Sequence, residues 1–235
     1  MLFLKNLKKE LRSKASFENK ENLQRFFKTG KGEYGQGDIF LAVKVPEIRK
    51  IAKKYKELDF LDIEKLLHSK IHEERLLSLF ILIFQFQKAD EQGRNRIFKL
   101  YLENTKYINN WDLVDLSAYQ IIGTYLENKN RDVLYKLAKS ESLWEKRISI
   151  ISCFSFIRNN DFRDALKISK ILLKDKHDLI HKAVGWMLRE IGKKDINTEE
   201  EFLKRYYKGM PRTMLRYAIE RFSEIKRQAY LKNKI

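Results

Sequence analysis

HEERLLSLFIL, residues 72–82, carries a cation, Arg75, inside a helix-periodic apolar run, and similar runs return four more times along the chain. Set beneath it are NNWDLVDLSAY (109–119), LWEKRISIISC (143–153), LIHKAVGWMLR (179–189) and TMLRYAIERFS (213–223). Trp111, Arg147, Lys182 and Arg216 then fall in register with Arg75, at steps of 36, 36, 35 and 34 residues. Periods of this size mark stacked helical hairpins, each too small to bury its own apolar face alone. The expectation is an all-α chain whose register residues line one wall of a solenoid, the concave one by preference. Four of the five are basic, and a row of cations along a curved wall suits a duplex backbone, where each neutralised phosphate releases counterions. The alternative is chance likeness among amphipathic helices.

The rest of the chain scans with the same period. Helices are expected near 2–13, 19–28, 46–57, 60–68, 71–88, 90–104, 111–127, 130–139, 142–158, 161–174, 177–193, 198–207, 211–222 and 224–233. Only two prolines and nine glycines interrupt them. DIFLAVKV (38–45) is the one β-like stretch. The glycines before it, at 30, 32, 35 and 37, neither follow a strand nor open a helix, so they read as a flexible connector and not as a phosphate cradle.

The 235 residues, 43% of them apolar, are enough for a real core, and a single domain over 1–235 is expected. The 49 Lys+Arg against 32 Asp+Glu give +17, which favours a polyanionic partner such as nucleic acid. The excess is densest over 201–235; the alternative is a lysine-rich composition kept only for solubility. The apolar run 76–84 is too short to cross a bilayer, and MLFLKNLKKELRSK reads as an amphipathic helix and not a signal peptide. Cys153, the only cysteine, lies among apolar neighbours as a buried thiol. A cytoplasmic, nucleoid-associated monomer without membrane contact fits these features.

Two repeats depart from the basic register. In 109–119 the cation gives way to Trp111, with Asp115 one turn on, so indole and carboxylate share a helix face. In 179–189 Trp186 follows Lys182 by one turn, and Arg189 and Lys193 continue that face. Two indoles, one carboxylate and several cations could converge on one surface. Each also has a structural reading: Trp186 as core, Trp111 as a hydrophobic staple, Asp115 and Arg147 in ion pairs with neighbours. His68/His72 and His177/His181 have i,i+4 spacing but neither an HExxH arrangement nor an obvious third ligand. No metal or cofactor is expected, and no hydrolase triad, Walker loop or CxxC is visible.

VPEIRKIAKKY, NTKYINNWDLVDLS, LWEKRISI, HDLIHKAVGWMLREIGKKD and MPRTMLRYAIERF together resemble the AlkD family of DNA alkylation repair proteins, over nearly the whole chain and in the family's order. The resemblance implies a right-handed α-solenoid of HEAT-like repeats with a concave basic groove for duplex DNA. It implies a monofunctional glycosylase that excises positively charged N3- and N7-alkylated purines without a base-flipping pocket. It assigns Trp111, Asp115 and Trp186 to catalysis and Arg147 to the DNA backbone, beside the register cations Arg75, Lys182, Arg189 and Arg216. Two features depart from the family: phenylalanines (Phe26, Phe27) stand near where characterised members place a tyrosine, and the connector 29–45 is longer.

The chemistry suits these residues. Alkylation at N3 or N7 makes the purine a cationic leaving group, so no general acid is needed. The remaining demand is an oxocarbenium-like sugar, which one adjacent carboxylate can stabilise while it orients water. Indole faces attract such cationic or polarised C–H groups. The competing reading is a non-catalytic helical-repeat protein that binds DNA structures or a protein partner through the same face. Trp111, Asp115 and Trp186 favour the enzyme.

Overall fold

The computed structural model describes residues 2–235. Its contacts divide the chain into two compact units, one ending at Ser117 and one beginning at Ala118. Each is built of helices, and among the described residues the only β pairing is an isolated bridge between Ile39 and Ile71. The expected all-α class is the observed one.

The first unit holds α1 (Leu2–Arg12), α2 (Phe17–Phe26), α3 (Val45–Lys54), α4 (Phe60–Leu67), α5 (His72–Lys88), α6 (Glu91–Glu103) and the start of α7 (Trp111–Ala118). The helices α3, α4 and α6 pack on α5. That central position explains why LLSLFILIF is apolar all round: Leu76, Leu77, Leu79, Phe80, Ile81, Leu82 and Ile83 are all buried, and no face needs to be polar. Glu74, 1% exposed, accepts from Lys8 at 2.7 Å and from Arg12 at 3.1 Å, tying α1 to α5. Asp59 and Asp90 cap α4 and α6, each accepting a backbone N–H at 2.8 Å.

The stretch DIFLAVKV forms no strand. The carboxylate of Glu73, 2% exposed, takes the place of a neighbouring strand and accepts from the N–H groups of Leu41, Ala42 and Val43 at 2.9, 2.7 and 3.3 Å. Ala42 adopts a left-handed φ of 60° to present these donors together. The glycine-bearing connector packs back on the end of α2. Gly35 lies so close to the Phe27 carbonyl that a Cβ there would stand 2.4 Å from the oxygen.

The second unit opens with a π-helical turn, Tyr119–Gly123. It continues through α8 (Asp132–Ala138), α9 (Leu143–Ser152), α10 (Phe154–Arg158), α11 (Arg163–Leu172), α12 (Asp178–Lys194), α13 (Ile196–Tyr206), α14 (Arg212–Ala218) and α15 (Glu224–Leu231). The single helix expected over 142–158 is broken at Cys153. Ser149, Ser152 and Cys153 bond back to the carbonyls of Lys146, Ile148 and Ser149 at 2.7, 2.7 and 3.4 Å, a competition that bends helices. Cys153 is fully buried, and burial pushes its thiol well above the ordinary range, so it is inert as a nucleophile. The long helix α12 is central, with α9, α11, α13 and α14 against it. At Gly185 the backbones of α12 and α14 come so close that a Cβ would lie 2.4 Å from the Met214 carbonyl oxygen. No helix among the described residues is long and apolar enough to cross a membrane.

Candidate functional site

Trp111 is the first residue of α7, and its backbone N–H donates to the Asn110 side-chain oxygen at 2.8 Å. Four residues of helix place Asp115 on the same face, and both side chains are half-buried. The indole heads a stack of rings. Phe27 lies on it with centroids 5.1 Å apart and planes 7° from parallel, and Phe26 meets it edge-on at 5.7 Å. Phe27 continues onto Phe40 at 4.7 Å, and Phe40 onto the His72 imidazole at 4.3 Å. Phe26 remains 63% exposed. Tyr101 is fully buried with its hydroxyl 2.8 Å from Ser117. Burial, with the nearby Asp115 charge adding to it, raises the Tyr101 phenol above its usual range and keeps it neutral.

Beneath this face the start of α7 is held by a buried polar cluster. Asp38 accepts from Arg75 at 2.6 Å and from Asn110 and His72 at 3.4 Å. The other imidazole nitrogen of His72 lies 2.8 Å from Asp112, whose second oxygen accepts from the Leu113 N–H at 2.9 Å. Burial by itself would depress the imidazolium, but Asp112 and Asp38 outweigh it and raise His72 to about 9. The neighbouring cations in turn hold the Asp38 carboxyl below its ordinary value despite its burial.

In the second unit Trp186 is half-buried, its Nε1 donating to Glu190 at 3.0 Å and its ring 6.1 Å from Phe154. Lys182 pairs with Asp178 at 2.7 Å, Arg189 with Glu220, and Arg216 is exposed. Arg147 is only 5% exposed and donates to the Leu179 carbonyl.

The basic register therefore divides by exposure. Arg75, read from the sequence as a DNA contact, is 3% exposed and enclosed by Asp38 and the Ser69 carbonyl, which leaves no surface for a phosphate. Register in the sequence aligned these residues along their helices. It carried no information about which guanidinium had a buried acceptor at hand. The histidine pairs also part: His68 reaches Asn104, His181 reaches the Asp175 carbonyl, and His177 accepts from the Leu179 N–H at the start of α12.

Sequence reasoning missed Phe27, Phe40, His72 and Asp38 as supports of Trp111. Phe27 follows α2, Asp38 and Phe40 lie in the connector and His72 opens α5, so no local spacing joins them to Trp111. A cavity of about 780 Å³ opens in the same unit between Leu23, Phe26, Val43 and Ile48, with His72 and Asp112 also on its wall. Neither Trp111 nor Asp115 is among its lining residues.

Comparison with known proteins agrees with this architecture. A solved structure described as a predicted DNA alkylation repair enzyme from Enterococcus faecalis superposes with a TM-score of 0.69 at 14% identity, covering 90% of this chain and 98% of that one. At that identity the likeness speaks for the fold. No curated protein sequence matches significantly. The sequence family described as DNA alkylation repair enzyme matches residues 7–222, nearly the whole chain, and the protein belongs to that family.

Proposed function

We propose that the protein is a monofunctional DNA glycosylase that excises cationic N3- and N7-alkylated purines from duplex DNA. The observation that carries the reading is the pairing on α7 of a half-buried carboxylate, Asp115, with an indole, Trp111, whose ring is backed by a stack of phenyl groups. Asp115 stabilises the positive charge that develops on the deoxyribose and orients the attacking water. Trp111 presents a face that attracts the polarised sugar, and Trp186 in the second unit is an indole of the same kind. The positively charged base leaves without a proton donor, so the reaction needs no acid at the base and no metal or cofactor. Lys182, Arg189 and Arg216, on helices of the second unit, supply cations for the phosphate backbone.

The test is single-turnover excision from three duplexes carrying 7-methylguanine, a bulky N7 adduct, or hypoxanthine. Release of the two cationic bases and retention of hypoxanthine is the expected pattern. Release of hypoxanthine with rejection of the bulky adduct indicates a pocket enzyme that protonates its leaving group. Tight duplex binding without any excision indicates a DNA-binding protein only.

A further inference from the structure

We propose that His72 is a positioning residue for Trp111, reaching it along two independent lines. One line is polar. Its Nε2 holds Asp112, whose neighbour in the chain is Trp111, and its Nδ1 faces Asp38, which also holds Asn110, the acceptor of the Trp111 backbone N–H. The other is the ring stack from His72 through Phe40 and Phe27 to the indole.

The charge state of His72 follows from its partners. Both imidazole nitrogens face carboxylate oxygens, which only accept, so both nitrogens must carry protons. The charges of the cluster then balance: Arg75 and His72 positive, Asp38 and Asp112 negative. Glu73, next to His72 on α5, is occupied by the backbone N–H groups of the connector. Loss of one proton leaves a neutral imidazole with a single N–H, so one of the two buried carboxylates, Asp38 or Asp112, faces a bare ring nitrogen and the pair is short of one cation. The first turn of α7 then loses one of its two charged links to His72, the Trp111 ring loses the charged end of its stack, and Asp115, one turn along, moves with them. His72 itself contacts neither Trp111 nor any reacting atom in this scheme.

The coupling stands on the contacts alone. Its consequence for catalysis rests on the glycosylase reading, and the two can fail separately. The experiment uses the full chain with Trp144→Phe and Trp186→Phe, so that Trp111 is the only indole, and follows its emission from pH 6 to pH 10. Emission is expected to change with a midpoint near the value of about 9 at which His72 loses its proton. Asp112→Asn should move that midpoint down toward the ordinary imidazole value, and His72→Gln should abolish the transition. A flat profile in the parent overturns the proposal, as does the same transition in a folded His72→Gln protein. Because no DNA is present, neither outcome depends on excision. In the chain with all three tryptophans, single-turnover excision should fall about tenfold or more above the same midpoint. Excision that is independent of pH across a confirmed Trp111 transition limits His72 to a structural role.

Discussion

Phe27 and Trp111 lie face to face, 5.1 Å between centroids and 7° from parallel, although 84 positions separate them in the chain. That contact makes the indole a fixed surface and not a mobile side chain. Phe26, the adjacent residue, closes its edge and stays in solvent. A rigid ring can meet a sugar without first losing its own rotamer freedom.

Asp115→Asn keeps the shape of the side chain and removes its charge. Excision of 7-methylguanine is expected to fall by about 10²–10³, the loss typical of one preorganised electrostatic group, while duplex affinity stays near parental. A wild-type rate in single turnover shows that the carboxylate is not catalytic.

Phe26→Ala removes the exposed edge contact to Trp111 with little effect on the core, since the ring is 63% exposed. Excision should drop about tenfold, within the range of aromatic pair energies, and the melting temperature should change by only a few degrees. Phe26→Tyr is expected to retain activity. Equal loss in both variants removes ring packing as the cause.

Arg147→Ala separates a phosphate contact from a structural one. The side chain is buried and donates to the Leu179 carbonyl, so we expect a loss of about 1–3 kcal/mol in stability by chemical denaturation, with the salt slope of duplex binding unchanged. Arg216→Ala, at an exposed position, is expected to lower that slope by about one unit without destabilising the fold. A slope change in Arg147→Ala and none in Arg216→Ala would reverse the two assignments.

Gly185→Ala brings a Cβ into the Met214 carbonyl and the Tyr217 side chain, at 2.4 and 2.5 Å. The helices α12 and α14 must separate to accept it, at a cost of about 1–3 kcal/mol. Chemical denaturation reads the loss directly. Since Trp186 follows Gly185, its emission should shift in the folded variant, and parental emission with parental stability contradicts the close approach.

Glu199 is 2% exposed, and burial, reinforced by the Glu200 charge, raises its carboxyl from 4.5 to about 8 against the pull of Arg189 and Lys226. A raised folded value means that stability is fully present below the unfolded value of 4.5 and is lost as pH rises through about 8. His72 adds a loss of the same sign between its unfolded value of 6.5 and about 9. Melting temperature should therefore fall from pH 5 to pH 9. In Glu199→Gln the decline should be shallower and begin later, leaving only the His72 part. An identical pH profile in that variant removes Glu199 as a source.

The helices were legible in the sequence because a hairpin must bury one face, and burial writes a period of 3.6 into the residues it uses. Most of the expected segments, from 2–13 to 224–233, differ from the observed helices by only a few residues. The pairing of Trp111 with Asp115 was legible for the same reason: four residues on a helix is a local distance that no tertiary contact needs to create. What period could not encode was the partner of each polar group. Whether Arg75 and Arg147 face solvent or a buried acceptor, whether Glu73 replaces a strand, and whether His72 meets a metal or two carboxylates all depend on groups 30 to 40 positions away. A buried charge is tolerated only where such partners arrive. Sequence alone determined where the helices run and which of their faces carry indole and acid. Tertiary structure decided which charges remain available to a ligand and what holds Trp111 in place, because those depend on desolvation by residues distant in the chain.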